Sequence, residues 1–154
     1  MHVGDRVKDF TAVDQNGNAT SLYDLLAEGP VVVFFYPKAM TGGCTTESCH
    51  FRNLKSEFDE FGARAVGIST DTVETQAEFD RVNGLRMPLL SDPDRSIAHQ
   101  FGVKRPGPLP NKRSTFVIDQ DGTLLSETNS ETNMELHADE ALEVLRAHAG
   151  VPNG

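Results

Sequence analysis

The chain has 154 residues, 14 basic against 23 acidic side chains and a formal net charge of −9. This charge disfavours nucleic acid and anionic membranes as partners. A domain of this length buries roughly 68–70% of the surface that its unfolded chain exposes, so it needs neither a disulfide nor a metal to fold. The length predicts one domain over residues 1–154. No apolar run is long enough to span a bilayer or form a secretory signal, so we expect a cytoplasmic location.

The predicted elements begin with a hairpin whose turn is Asn16-Gly17, followed by a short helix capped at Ser21. Apolar, β-branched runs then predict strands at residues 31–36, 64–69, 87–91 and 115–119. Segments of helical periodicity predict helices at residues 51–61, 73–82, 95–101 and 135–149. Asp121-Gly122 indicates a second hairpin turn.

This alternation is typical of an α/β fold with a mostly parallel central sheet. The order of strand, helix, strand, antiparallel hairpin and terminal helix resembles the thioredoxin-like fold. We therefore expect a central mixed sheet flanked by helices, with an N-terminal hairpin extension. In such a fold the functional site lies where the strand at 31–36 is followed by a helix.

Both cysteines of the chain, Cys44 and Cys49, follow this strand directly. In a compartment that keeps thiols reduced, a close pair is more typical of catalysis, redox sensing or metal binding than of a permanent bridge. Each cysteine could also be a small apolar core residue. A metal site is disfavoured because zinc requires four ligands and only His50 lies nearby, so no metal or cofactor is expected.

The spacing of the two cysteines has a geometric consequence. A cysteine at the start of a helix is favoured as the thiolate, because the unpaired N–H groups there attract an anion. Five residues along a helix separate two Cα atoms by roughly 8.7 Å, whereas a disulfide tolerates at most about 7 Å. The first turns must therefore unwind if the pair is to join. The surrounding residues are weak helix formers: Gly42, Gly43, Thr45, Thr46 and Ser48.

Pro37-x-x-x-Thr41-x-x-Cys44 resembles the signature of peroxiredoxins, and a second cysteine at position 49 is typical of their Q-type group, the bacterioferritin-comigratory proteins. The resemblance extends through "GISTD" and "RSTFVID" to nearly the whole chain. It implies that Cys44 attacks hydrogen peroxide or an organic hydroperoxide and becomes a sulfenic acid. It further implies that Cys49 resolves this acid to an intramolecular disulfide, which thioredoxin or a similar dithiol reductant then reduces.

The same resemblance implies the supporting residues. Arg113 would pair with the thiolate and the peroxide, Thr41 would hydrogen-bond both, Pro37 would shield the pocket and Glu47 would orient the arginine. From the residues alone, Glu47 is equally well explained as a first-turn carboxylate that complements the helix dipole. Arg113 is one of several cations in segment 104–113, and Arg105 or Lys112 could be mistaken for it.

One position departs from the family pattern, and other functions stay open. Gly42 stands where the family commonly has proline, which makes an ordered first turn costlier by roughly 0.4–1 kcal/mol. Segment 104–113 is either a solvated loop or a rim that contacts the acidic surface of a reductant. The alternative functions are a protein dithiol-disulfide oxidoreductase and a non-enzymatic redox switch. No apolar stripe requires a dimer, so a monomer is expected.

Overall fold

The computed structural model describes residues 2–39, 42–107 and 109–149. A seven-stranded sheet lies at its centre, in the order β2-β1-β5-β4-β3-β6-β7. The strands are β1 (Thr11–Val13), β2 (Ala19–Ser21), β3 (Val31–Phe35), β4 (Arg64–Ser69), β5 (Leu89–Ser91), β6 (Ser114–Ile118) and β7 (Leu124–Asn129). The helices are α1 (Leu22–Leu26), α2 (Gly42–Asn53), α3 (Lys55–Glu60), α4 (Val73–Asn83), α5 (Ser96–Gln100) and α6 (Leu136–Ala149). No helix in this part of the chain is long and apolar enough to cross a membrane.

The expected central mixed sheet is confirmed, but the sheet is not mostly parallel, although the alternation of strands and helices had indicated this. Among the described residues, β3 pairs with β4 and β4 with β5 in parallel, while the other four pairings are antiparallel. Only strands joined through a helical crossover run parallel. The β6–β7 hairpin adds to one side of this parallel unit and the N-terminal hairpin adds to the other, each in antiparallel orientation. The mixed α/β architecture itself is confirmed.

Strand β3 lies in the middle of the sheet and is buried on both faces. Alternate residues, Val31, Val33 and Phe35, belong to one apolar cluster, whereas Val32 and Phe34 belong to the other. Such a continuous apolar run is expected for a strand covered by helices on both sides. The second cluster also contains Cys44 and Phe51 of α2, so the cysteine helix packs directly on this face.

Helix α2 differs most from the prediction. It begins at Gly42, well before Phe51, and the single helix predicted over residues 51–61 is interrupted at Leu54 (φ −96°, ψ 11°). The buried residues of α2 are Cys44, Glu47, Ser48 and Phe51, at the helical spacing i, i+3, i+4, i+7. Two of these four are polar, so hydrophobic periodicity does not reveal the helix.

The start of α1 also differs in detail. Ser21 occupies the N-cap position, but its side chain makes no capping hydrogen bond. Instead Asp9 Oδ1 accepts hydrogen bonds from the Tyr23 backbone N–H (3.0 Å) and from the Ser21 hydroxyl (2.9 Å). The carboxylate from the preceding segment thus satisfies the backbone donor that Ser21 was expected to satisfy.

Candidate active site

The loop between β3 and α2 is held by backbone and carboxylate contacts. Tyr36 N–H donates to the Ile68 carbonyl of β4 at 3.1 Å. Asp71 Oδ2 accepts from the Ala39 backbone N–H and from the Ser69 hydroxyl, both at 2.6 Å. The chain is therefore fixed on both sides of Pro37, which lies half-buried at the bend just after β3.

A series of buried hydrogen bonds begins at Tyr36 and supports this loop. The Tyr36 hydroxyl donates to Gln76 Oε1 at 2.5 Å. Gln76 Nε2 in turn donates to Ser69 Oγ and to the Leu90 carbonyl, both at 3.0 Å. Burial raises the pKa of Tyr36 above its ordinary value, so the phenol stays neutral and remains a donor. The polar groups in this series of hydrogen bonds satisfy one another, which favours a single arrangement of the loop.

The central contact of the site joins Cys44 and Arg113. Their side chains are almost inaccessible, since Cys44 is 1% and Arg113 is 7% exposed. Arg113 Nη1 and Nη2 each lie 3.4 Å from Cys44 Sγ. The sheet register explains the meeting, because Phe35 at the end of β3 pairs with Ser114 at the start of β6. Arg113 therefore lies level with the loop that leads into α2.

Glu47 contacts the same guanidinium from the next turn of α2. Arg113 Nη1 donates to Glu47 Oε1 at 2.9 Å, and the carboxyl group is fully buried. Burial raises the pKa of Glu47 to about 8, outweighing the lowering effect of Arg113. Burial lowers the pKa of Arg113, but Glu47 and Cys44 more than offset it, and the guanidinium stays charged.

His137 of α6 lies on the other side of Glu47 and is also fully buried. Its Nε2 lies 2.8 Å from the Ser130 carbonyl, which can only accept, so Nε2 carries the proton. Nδ1 then accepts from the Thr115 hydroxyl at 2.8 Å. Burial lowers the pKa of His137, which keeps the ring neutral. Nε2 also lies 3.5 Å from Glu47 Oε2.

The other cations of segment 104–113 do not take the place of Arg113. Arg105 Nη2 pairs with Glu131 Oε1 at 2.6 Å, and Lys112 is exposed. Glu131 also accepts from the Arg113 backbone N–H, at 3.1 Å to Oε2. Glu131 thus connects the Arg105 side chain to the Arg113 backbone.

Cys49 lies on the same unbroken helix as Cys44, and the two are not bonded. Its side chain is half-buried, with Sγ 3.8 Å from Asn83 Oδ1 at the end of α4. Arg52, one turn further along, donates from Nη1 to the Asn83 carbonyl at 2.5 Å. Two neighbouring contacts therefore hold the second half of α2 against α4.

The structure brings together three of the predicted site residues: Cys44, Glu47 and Arg113. Pro37 lies in the adjoining loop and Cys49 further along α2, whereas Thr41 falls outside the described residues.

Sequence reasoning missed His137. The feature that could have indicated its burial is its position next to the buried apolar stripe of α6, which is formed by Ala138, Ala141, Leu142 and Leu145.

A group of side chains of the types that could ligate a metal lies elsewhere, on α2, on α6 and on the residue just before α6. Ligand atoms of His50, Glu135 and Asp139 lie within 4.8 Å of one another, and neither cysteine belongs to this group. The hydrogen bond between His50 Nε2 and Asp139 Oδ1, at 2.7 Å, accounts for the approach of two of them. The side chain in contact with Cys44 is instead the Arg113 guanidinium, which also contacts the Glu47 carboxyl group.

A buried thiol in contact with an arginine, at the junction of a strand and a helix in a mixed α/β fold, is an arrangement suited to thiol redox chemistry. A sequence profile of the AhpC/TSA family matches residues 3–126. The chain belongs to this family and is a peroxiredoxin, a thiol peroxidase among the oxidoreductases.

Within the family, the chain is similar to the bacterioferritin comigratory and Q-type proteins. It is 53% identical to peroxidoxin BcpB from Mycobacterium tuberculosis, whose crystal structure superposes with a TM-score of 0.92 over 96% of this chain and 97% of that one. It is 38% identical to chloroplastic peroxiredoxin Q of Sedum lineare over 140 residues, 90% of this chain and 74% of that one. The bacterioferritin comigratory protein of Xanthomonas campestris is 32% identical, with a TM-score of 0.83 and coverage of 91% and 92%.

Proposed function

We propose that this protein reduces hydrogen peroxide and organic hydroperoxides, with Cys44 as the peroxidatic cysteine. The observation that carries the proposal is the placement of both Arg113 terminal nitrogens 3.4 Å from Cys44 Sγ. A guanidinium in this position can pair with the negative charge of a thiolate, the form of the thiol that acts as the nucleophile. The same donors stabilise the negative charge that develops on the departing oxygen.

In the first step the Cys44 thiolate attacks one peroxide oxygen. A sulfur–oxygen bond forms as the oxygen–oxygen bond breaks, and the hydroxide or alkoxide that leaves takes up a proton, giving water or an alcohol and the sulfenic acid. In this scheme Thr41 would donate to the peroxide, and Pro37 would shield the pocket from water. A relative supports the organic substrates: the Xanthomonas campestris protein is described as having alkyl peroxide reduction activity.

In the second step the Cys49 thiolate attacks the sulfenic sulfur, a sulfur–sulfur bond forms as the sulfur–oxygen bond breaks, and the hydroxide that leaves takes up a proton to give water. Ideal helix geometry separates the two Cα atoms by roughly 8.7 Å, more than the approximately 7 Å that a disulfide tolerates. Helix α2 must therefore unwind between the cysteines. Glu47 lies in that stretch, so unwinding also breaks its hydrogen bond with Arg113.

Recycling requires a dithiol reductant, which we propose to be thioredoxin or a protein like it. Segment 104–113 ends at Arg113, and its exposed Lys104 and Lys112 offer positive charge to an acidic partner surface. We further propose that the protein acts as a single-domain monomer in the cytoplasm, where thiols are kept reduced.

The test uses two single cysteine variants and the intact mass after one equivalent of hydrogen peroxide. The wild type should lose two hydrogens on forming the internal disulfide. Cys49→Ser should gain one oxygen and stop at the sulfenic acid, whereas Cys44→Ser should consume no peroxide. Equal peroxide consumption by the wild type and Cys44→Ser would overturn the proposal, as would a wild type whose mass does not change.

A further inference from the structure

The two carboxyl oxygens of Glu47 lie in different environments. Oε1 accepts from Arg113 at 2.9 Å, whereas Oε2 is buried and has no hydrogen bond within the described part of the chain. The ring nitrogen of His137 that carries the proton lies 3.5 Å from this second oxygen. A buried carboxyl oxygen that lacks a partner is costly, so the nearest N–H group matters to its orientation and charge.

The ring of His137 is held so that this N–H group points in a fixed direction. Thr115 on β6 donates to Nδ1, and the Ser130 carbonyl after β7 accepts from Nε2. With both nitrogens engaged, the ring can neither flip nor change tautomer without losing a buried hydrogen bond. The Nε2–H group donates to the Ser130 carbonyl and can also donate to Glu47 Oε2, which is the second and weaker acceptor.

We propose that His137 is a positioning residue for Cys44, acting through Glu47 and Arg113. The contacts form one continuous series: His137 faces Glu47, Glu47 pairs with Arg113, and Arg113 contacts the Cys44 sulfur. The inference deepens the proposed function and depends on it for the reaction at Cys44. An N–H donor that faces Oε2 favours the carboxylate form of Glu47 and fixes the plane in which Glu47 meets Arg113.

The charged groups around His137 agree with this role. Glu47 faces it from α2, Arg113 from the start of β6, and Glu131 from the segment after β7. Arg113 opposes a charge on the ring and Glu131 favours one, while burial outweighs both, so the pKa of His137 is lowered. The neutral ring is thus the donor at neutral pH, and Glu47 is the group whose charge can change near pH 8.

The experiment compares His137→Leu, which removes the donor, with His137→Gln, whose amide nitrogen can occupy the place of Nε2. The first measurement is the titration of the Glu47 side-chain carbon by ¹³C NMR, with the signal assigned by its absence in Glu47→Gln. Without the donor, the midpoint should rise by at least about 0.5 pH unit, and His137→Gln should restore it. This measurement needs no peroxide, so it remains informative even if the proposed activity fails.

The second measurement is the rate of sulfenic acid formation in the Cys49→Ser background. His137→Leu should slow it about 10-fold, in line with the cost of misplacing a group that orients a catalytic contact. In a Glu47→Gln background the same change should alter the rate less than about 2-fold, because His137 acts through the carboxylate. His148→Leu, an exposed histidine of the same helix that pairs with Asp119, is the matched control and should leave both readouts unchanged.

Two results would overturn the inference. An unshifted Glu47 titration in His137→Leu would show that the ring does not influence the carboxyl group. Equal losses of rate in the wild-type and Glu47→Gln backgrounds would show that His137 only supports the fold. If His137→Leu does not fold, His137→Asn is used in its place, since its shorter amide reaches Thr115 but not Ser130 and Glu47.

Discussion

Both terminal nitrogens of Arg113 lie 3.4 Å from the sulfur of Cys44, and one of them also donates to Glu47. A lysine ammonium is a point charge on a flexible stem and cannot reproduce this two-acceptor geometry. Arg113→Lys should therefore slow sulfenic acid formation by about 10²–10³-fold, the usual cost of removing one preorganised donor from a developing oxyanion. Quenched-flow mass spectrometry with hydrogen peroxide measures this rate.

Arg105→Lys is the matched control, because Arg105 belongs to the same segment but pairs with Glu131. Its ion pair is partly exposed to solvent, and the rate should change less than about 2-fold. A comparable loss in both variants would mean that the segment contributes general positive charge rather than a specific contact to Cys44.

Gly42→Pro should stabilise the reduced protein. Gly42 is the first residue of α2, a position that favours proline, and a Cβ there would meet no described atom within 4 Å. The expected gain is about 0.4–1 kcal/mol, because proline restricts the unfolded chain. Disulfide formation should become slower for the same reason, since α2 must unwind. Urea unfolding of the reduced form and the rate of loss of two hydrogens provide the two readouts.

Gly43→Ala provides the contrast at the neighbouring position. A Cβ there would lie 3.1 Å from Met134 Cε and 3.4 Å from Arg113 Nη2. The Met134 side chain would have to shift, because 3.1 Å is shorter than an ordinary van der Waals contact, and repacking beside the guanidinium should slow the peroxide step with little gain in stability. A slower peroxide step in Gly42→Pro but not in Gly43→Ala would contradict the packing described here.

The sequence predicted the strands of the sheet well, because their signals are local. The run at β3 is apolar on both faces, and Asp121-Gly122 marks the β6–β7 turn. The proportion of parallel pairings could not be predicted in this way. It depends on which edge of the parallel unit receives each hairpin, and this is decided by packing between distant segments rather than by local periodicity.

The candidate site was likewise predictable only in part. Spacing and motif singled out Cys44 and Arg113, which the register of β3 and β6 brings together. The explanation of Glu47 as a first-turn carboxylate that complements the helix dipole is wrong, because α2 begins at Gly42 and has no acidic residue in its first turn. Glu47 lies in the second turn and is buried. Its burial results from a stripe of α2 that includes polar residues, and the contribution of His137 depends on the docking of α6 against that stripe.

Arg52→Ala should accelerate disulfide formation. Arg52 donates to the Asn83 carbonyl and ties the second half of α2 to α4, next to the contact between Cys49 and Asn83. Removing one charge-assisted hydrogen bond lowers the cost of unwinding, and the rate should rise about 3–10-fold. Lys55→Ala, which removes an exposed pair with Asp59 on α3, is the control and should leave the rate unchanged. An unchanged rate in Arg52→Ala would show that this end of α2 stays coiled when the disulfide forms.

The raised pKa of Glu47 predicts a pH dependence for the resolving step. In the coiled helix the pKa is about 8, and in the unwound segment the carboxyl group meets water and returns toward its ordinary value of 4.5. Between these values the coiled form binds the additional proton, so its advantage is fully present below pH 4.5 and is lost as the pH rises through about 8. Rising pH should therefore favour unwinding, by at most about 10-fold per pH unit.

The measurement is the rate of disulfide formation from pre-formed sulfenic acid at pH 5.5, 6.5 and 7.5, quenched and read by mass. Ionisation of the Cys49 thiol also increases this rate with pH, so the informative quantity is the ratio of the wild type to Glu47→Gln. Glutamine has no proton to lose, and the ratio should rise steadily over this range, since the wild type alone gains from the release of the Glu47 proton. Parallel pH profiles for the two proteins would show that Glu47 stays buried while the disulfide forms, and that α2 unwinds without exposing it.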